Sequence, residues 1–136
     1  MARIDESKIG ETPFQKLLGH NSEIMERWNQ LDKAFEGLSS KLREQVRRTL
    51  AQGNGCDYCK AKGKPDPLEY DEKTSIAVGF AEVFLKQKGG IANSTFDVLK
   101  ESFSEKEISE LCAFIAFTTA SQHFGAMMKL EPSTRT

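Results

Sequence analysis

Apolar side chains recur along most of the chain at the spacing of an α-helix, and no segment shows sustained two-residue alternation. Leu42, Val46 and Leu50 form one such stripe. Further stripes are formed by Ile24, Trp28, Leu31 and Phe35, and by Ile76, Phe80, Val83 and Phe84. The pattern therefore predicts an all-α fold in which each helix buries one face.

Turn and capping residues divide this pattern into successive helices. Ser104 and Glu107 have the spacing of a capping box, which predicts a helix start. The helix that follows, through about Met128, is apolar nearly all round at its centre, so we expect it in the core. Other starts are expected at Thr12-Pro13, Ser39-Ser40, Asp71 or Thr74, and Ser94, and ends at Gly37, Gly53-Asn54-Gly55 and Gly89-Gly90.

The length of 136 residues corresponds to one domain with a real core. The chain has no internal repeat and no low-complexity region. We therefore expect a single domain over residues 1–136, with loose tails at residues 1–12 and 130–136.

Composition and charge are those of an ordinary globular protein, with 38% apolar and 29% charged residues and a net charge of -1. This balance argues against nucleic acid or an anionic membrane as a partner. The basic run at Lys41, Arg43, Arg47 and Arg48 is interpreted as a solvated helix face. The polar start and the short apolar stretch at residues 111–117 predict a cytoplasmic protein without a membrane span.

The candidate chemistry lies in the Cys56-Asp57-Tyr58-Cys59 motif, which follows a glycine-rich turn and opens a helical turn. Unpaired amides at a helix start stabilise a thiolate, and the spacing lets the two sulfurs meet within one turn. The motif therefore suits disulfide exchange or attack on peroxide. Half a zinc site has the same spacing, but no second cysteine pair completes it, and we expect no metal. We also expect no organic cofactor, since no glycine-rich nucleotide loop is present.

A family resemblance extends beyond the cysteine pair. It is carried by Glu44, which precedes Cys56 by eleven intervening residues, by Gly79-Phe80-Ala81-Glu82, and by the segment from Ser104 to Leu111. Over roughly residues 13–128 the chain resembles the AhpD-like alkylhydroperoxidases of the carboxymuconolactone decarboxylase family. Their signature is Glu-x11-Cys-x2-Cys-x3-His. The resemblance implies an AhpD-like helical bundle that assembles as a homotrimer or homohexamer.

The resemblance also implies a function, a thiol-dependent peroxidase of antioxidant type acting on a hydroperoxide, or on a small-molecule disulfide. In such proteins the cysteine equivalent to Cys59 attacks peroxide, and the one equivalent to Cys56 resolves the sulfenic acid to a disulfide. A partner protein dithiol then reduces the pair, and Glu44 would be the base of a proton relay. Helix position alone instead favours Cys56 as the thiolate, since it lies nearer the helix start.

The chain departs from the family signature at its last position, where Gly63 replaces the histidine. Loss of an acid–base group costs about 10²–10⁴-fold in rate if nothing replaces it. His123 on the last helix is a candidate stand-in, against the alternative of an interface histidine.

Two other functions stay open from the sequence. One is a decarboxylase of the same superfamily, which transfers protons and does not need the cysteine pair. The other is a non-catalytic helical oligomer that has lost the relay, a reading that Gly63 favours. The third cysteine, Cys112, lies between apolar residues and is expected to be a buried core residue.

Overall fold

The computed structural model describes residues 1–132, and this part of the chain is helical without a strand, so the all-α prediction is confirmed. The longest helix is the last one, as its apolar composition predicts. The helices are α1 (Pro13–Leu18), α2 (Ser22–Asp32), α3 (Ser40–Gly53), α4 (Asp57–Lys60), α5 (Glu72–Gln87), α6 (Asn93–Lys100) and α7 (Glu105–Met127), with a 3₁₀ turn at Pro67–Glu69.

Helix α3 packs against both α5 and α7, and the three helices contribute most of the hydrophobic core. Leu42, Val46 and Leu50 are buried there, as their spacing on α3 predicts. Leu111 and Ile115 of α7 close the core from the other side. This packing positions the site, because α4 follows α3 directly and lies against α7.

Side-chain caps fix the helix starts at several expected positions. Thr12 accepts a hydrogen bond from the backbone N–H of Gln15 and Ser104 accepts one from Glu107, each within a complete capping box. Asp71, not Thr74, caps α5 and accepts from the N–H of Thr74. Within residues 1–132 no helix is both long and apolar enough to cross a bilayer.

Helix α2 differs from its prediction. It ends at Asp32 rather than continuing to Gly37, so Phe35 is buried from a loop and not from the helix. Ile24 and Leu31 are 51% and 46% exposed, although they share the predicted stripe. The helix lies at the edge of the bundle, where Trp28 makes its aromatic contacts with the body.

The segment before α1, for which the sequence predicts a loose tail, is hydrogen-bonded to the helices. The N–H of Arg3 donates to the carbonyl of Met128 at 2.8 Å, and that of Ser7 donates to Lys16 at 2.9 Å. At the other end Leu130 is buried. The rest of the expected C-terminal tail, residues 133–136, lies outside the described residues.

Candidate functional site

Cys56 and Cys59 form a disulfide at the start of α4, with their Cα atoms 5.3 Å apart. Cys56 is the N-cap residue, and its sulfur accepts a hydrogen bond from the N–H of Cys59 at 3.2 Å. A sulfur that accepts an amide hydrogen bond at a helix start is in a position that stabilises a thiolate. The two cysteines are not equally accessible, since Cys56 is 0% and Cys59 8% exposed.

The backbone of α7 closes the site on its buried side. A Cβ atom placed at Gly125 would lie 2.6 Å from the sulfur of Cys56 and 3.6 Å from that of Cys59. Only glycine therefore allows the helix to come this close to the disulfide. Gly125 has no distinguishing signal in the sequence, where it is one glycine in a largely apolar helix.

A cleft of about 300 Å³ opens beside Cys59 between α1, α2, α4 and α7. Cys59 lines this cleft and Cys56 does not. Much of the remaining wall is aromatic, and its polar part includes two cationic side chains. The aromatic lining residues are Phe14, Trp28, Tyr58, Phe114 and Phe117, and the cationic ones are Arg47 and Lys62.

A buried amide pair ties the turn before Cys56 to α7 and α3. The side-chain N–H of Asn54 donates to the amide oxygen of Gln122 at 2.8 Å. Gln122 in turn donates to the backbone carbonyl of Arg47 at 3.1 Å, and it is only 2% exposed. These two hydrogen bonds link the Gly53-Asn54-Gly55 turn that leads into the disulfide to α7 and α3.

Glu44 is held by two arginines. Its carboxylate accepts hydrogen bonds from Arg47 at 2.9 and 2.7 Å and from Arg48 at 2.9 Å. These bonds, with that from Arg47 the strongest, outweigh desolvation and lower the pKa of Glu44 from 4.5 to about 2. Such a carboxylate is a very weak base at neutral pH, so the environment does not fit the expected role of relay base.

Instead, Glu44 orients Arg47, whose guanidinium also donates to the carbonyl of Cys59 at 3.3 Å. The structure thus connects Glu44 to the cysteine pair through Arg47, for which the basic run on this helix predicts only a place on a solvated face. Because the three charges face one another across one helix turn, the i, i+3 and i, i+4 spacing could have indicated this cluster.

The lowered pKa of Glu44 predicts a pH dependence of stability. The folded-state pKa lies below the unfolded one, so the contribution is complete above pH 4.5 and is lost as the pH falls towards about 2. Glu44→Gln should therefore weaken the acid dependence of the unfolding free energy in this window. Urea unfolding from pH 2 to 7 measures it, with Glu101→Gln, an exposed residue of the same charge, as the control. An unchanged slope in Glu44→Gln would contradict the pairing.

Gly63, at the position of the family histidine, adopts a φ of +126°, a conformation that other residues rarely adopt. A Cβ atom there would meet the guanidinium carbon of Arg48 at 3.3 Å. Arg48 also donates to the carbonyl of Lys64 at 3.2 Å. The backbone has thus left the helix before residue 63, and the arginine lies alongside it.

We expect Gly63→His to restore the signature without restoring its chemistry. Because the backbone conformation disfavours any side chain, the variant should lose more than about 1 kcal/mol of stability. Its peroxide rate should match that of Gly63→Ala, which has the same backbone cost without an imidazole. The comparison of these two variants by urea unfolding and peroxide consumption isolates the imidazole. A faster Gly63→His would show that the histidine alone was missing.

His123 does not line the cleft beside Cys59. It is exposed, whereas its neighbour Gln122 lines the cleft and Gly125 approaches the sulfurs. Successive helical residues are rotated by about 100°, so the face of α7 that carries Thr118, Gln122 and Gly125 does not carry His123. The exposure of His123 does not fit the role of stand-in for the family histidine and leaves the alternative of an interface histidine.

Cys112 packs partly buried against the core, not fully buried as expected, and burial raises the pKa of its thiol. A raised thiol pKa lowers the thiolate fraction, so this cysteine is less reactive at neutral pH than a free thiol. In the part of the chain covered by the structure, no group of three metal-ligating side chains comes together.

Comparison with known proteins gives a likeness at the level of structure. No family model and no curated protein matches the chain. Among solved structures, the apo crystal structure of the debrominase Bmp8 is similar, with a TM-score of 0.74 and 19% sequence identity. The match covers 90% of this chain and 77% of that chain. The likeness confirms the AhpD-like helical fold, while membership of the family stays a prediction.

Proposed function

We propose that the protein is a thiol-dependent oxidoreductase in which Cys56 and Cys59 alternate between a dithiol and a disulfide. The observation that carries the proposal is the asymmetry of the pair, because Cys59 lines the cleft while Cys56 is buried behind it. A reacting sulfur needs access to its substrate, and a resolving sulfur needs only its partner. The debrominase activity of the structural neighbour supports an enzyme over a non-catalytic bundle.

The oxidant we propose is a hydroperoxide. The thiolate of Cys59 attacks the terminal oxygen, the O–O bond breaks, and the alcohol leaves with the proton that Cys59 released. The resulting sulfenic acid is attacked by the thiol of Cys56, which forms the disulfide and releases water. One hydroperoxide and two thiols thus give one alcohol, one water and one disulfide.

A partner protein dithiol completes the cycle. One of its thiolates attacks the sulfur of Cys59, since Cys59 is the cysteine that lines the cleft, and Cys56 leaves as the thiolate. The partner's second thiol then displaces Cys59 and takes up the disulfide. The amide hydrogen bond to the sulfur of Cys56 favours this leaving group.

The turnover we propose is slow compared with that of a protein with a complete relay. Gly63 carries no proton-transferring group, Glu44 is a weak base, and His123 is exposed. Substrate and water must therefore exchange protons with solvent through the cleft. An absent acid–base group costs about 10²–10⁴-fold.

The test is the stoichiometry of oxidation. We expect reduced protein treated with one equivalent of cumene hydroperoxide to lose two thiols and consume the peroxide faster than free cysteine does. Cys112→Ser serves as the control and should lose the same two thiols at the same rate. Oxidation at the rate of free cysteine, or loss of the Cys112 thiol, would contradict the proposal.

A further inference from the structure

The cleft beside Cys59 has a rigid aromatic wall. The ring of Trp28 lies 5.5 Å from that of Phe117 and 6.4 Å from that of Phe14, measured between centroids. Its indole N–H donates to the hydroxyl of Ser121 at 3.1 Å, which fixes the orientation of the ring. Aromatic surfaces held in this way favour a flat apolar ligand.

Two cationic side chains line the same cleft. The ammonium of Lys62 lies 4.8 Å from the centroid of the Tyr58 ring, which holds it beside Cys59. The guanidinium of Arg47 has five N–H groups, and its bonds to Glu44 and to the Cys59 carbonyl use three of them within residues 1–132. Two donors are left for a ligand.

The charge balance favours a ligand with a single negative charge. Asp32 is the one carboxylate among the described residues that line the cleft, and it faces two cations. Glu44 adds no net negative charge, because Arg48 pairs with it together with Arg47. The lining therefore carries one net positive charge.

We propose that this cleft binds a small aromatic carboxylic acid, with its ring against Trp28 and its carboxylate between Arg47 and Lys62. The volume of about 300 Å³ is at the low end for small-molecule sites and suits a single ring. The inference rests on the proposed function in one respect only, namely that an acid that carries a reducible group would be the substrate of Cys59.

The binding test uses the disulfide form, so it needs no turnover. Trp28 is the only tryptophan of the chain and lines the cleft, so its fluorescence reports occupancy. The ligands are 3-phenylpropionate, its neutral amide, and hexanoate, which has the charge without the ring. We expect the aromatic acid to bind about fivefold more tightly than the amide, the size of one partly exposed charge interaction. It should also bind more tightly than hexanoate, which lacks the ring that packs against Trp28. Equal affinity for acid and amide would overturn the proposal.

Charge variants test where the carboxylate lies. Lys62→Gln should weaken 3-phenylpropionate about fivefold and leave the amide unchanged. Lys60→Gln is the matched control. It removes the same charge only two residues away from Lys62, but the side chain of Lys60 does not line the cleft. Asp32→Asn should have the opposite effect and strengthen the binding of 3-phenylpropionate about twofold to fivefold. Equal effects of Lys62→Gln and Lys60→Gln, or no gain in Asp32→Asn, would overturn the proposal.

The outcomes separate this inference from the proposed function. If the acid binds selectively but peroxide does not oxidise the thiols, the proposed ligand of the cleft is supported and the proposed peroxidase activity is contradicted. If peroxide oxidises the thiols but acid and amide bind equally, the proposed oxidoreductase function is supported and the proposal of an aromatic acid as ligand is overturned.

Discussion

Replacing Cys59 by serine should reduce peroxide consumption to the rate of buffer alone, whereas Cys56→Ser should still consume one equivalent. A serine hydroxyl is not ionised at neutral pH and does not replace the thiolate as a nucleophile. In Cys56→Ser the accessible sulfur remains, so a sulfenic acid should form at Cys59 and accumulate. The difference follows from the burial of Cys56 behind its partner.

The measurement is the loss of hydroperoxide in a single turnover, with a dimedone adduct as the reporter of sulfenic acid. Cys112→Ser should behave as the wild type, since burial raises the pKa of that thiol. If Cys56→Ser loses all reactivity and Cys59→Ser forms the adduct, the roles are reversed. The helix-start argument for Cys56 would then outweigh accessibility.

The second large effect is expected for Gly125→Ala, far from Cys59 in sequence. The added Cβ would lie 2.6 Å from the sulfur of Cys56, so α7 or α4 must move. Overpacking of a buried contact costs about 1–3 kcal/mol. Because the disulfide lies at this contact, its formation should also slow, by about tenfold for each 1.4 kcal/mol that the barrier gains.

Gly79→Ala is the matched control. Gly79 lies in α5, where a Cβ atom would meet no atom within 4 Å. Alanine there should stabilise the protein by about 0.5–1 kcal/mol through helix propensity. Urea unfolding of both variants, oxidised and reduced, measures the contrast. Equal stability of the two variants would show that the approach of α7 to the sulfurs is not tight.

The architecture was readable from the sequence because burial on α3 and α7 follows the helical period. Leu42, Val46 and Leu50 are buried as predicted. The predicted burial of the α2 stripe was wrong. The apolar residues of this helix are just as periodic as those of α3, but α2 packs at the edge of the bundle, where Ile24 remains exposed. Periodicity gives the face that a helix can bury, but not whether a neighbour covers it.

The candidate site could be predicted from the sequence only in part. The spacing of Cys56 and Cys59 predicts that they can pair, because their two sulfur atoms lie within one helical turn. Gly125 and Gln122 reach the site from α7, about seventy residues away, and their contribution depends on tertiary packing. The weak basicity of Glu44 could not be predicted from signature spacing, since it depends on how the arginine side chains fold back.

The disulfide joins residues only three positions apart, and this sets how much the fold depends on it. A cross-link restricts the unfolded chain according to the length of the loop it closes, and a loop this short contributes about 2 kcal/mol at most. It ties no helix to another, so the core of α3, α5 and α7 keeps its packing when the bond opens. Under the proposed function, opening and closing of this bond would therefore change the conformational stability of the protein by no more than about 2 kcal/mol.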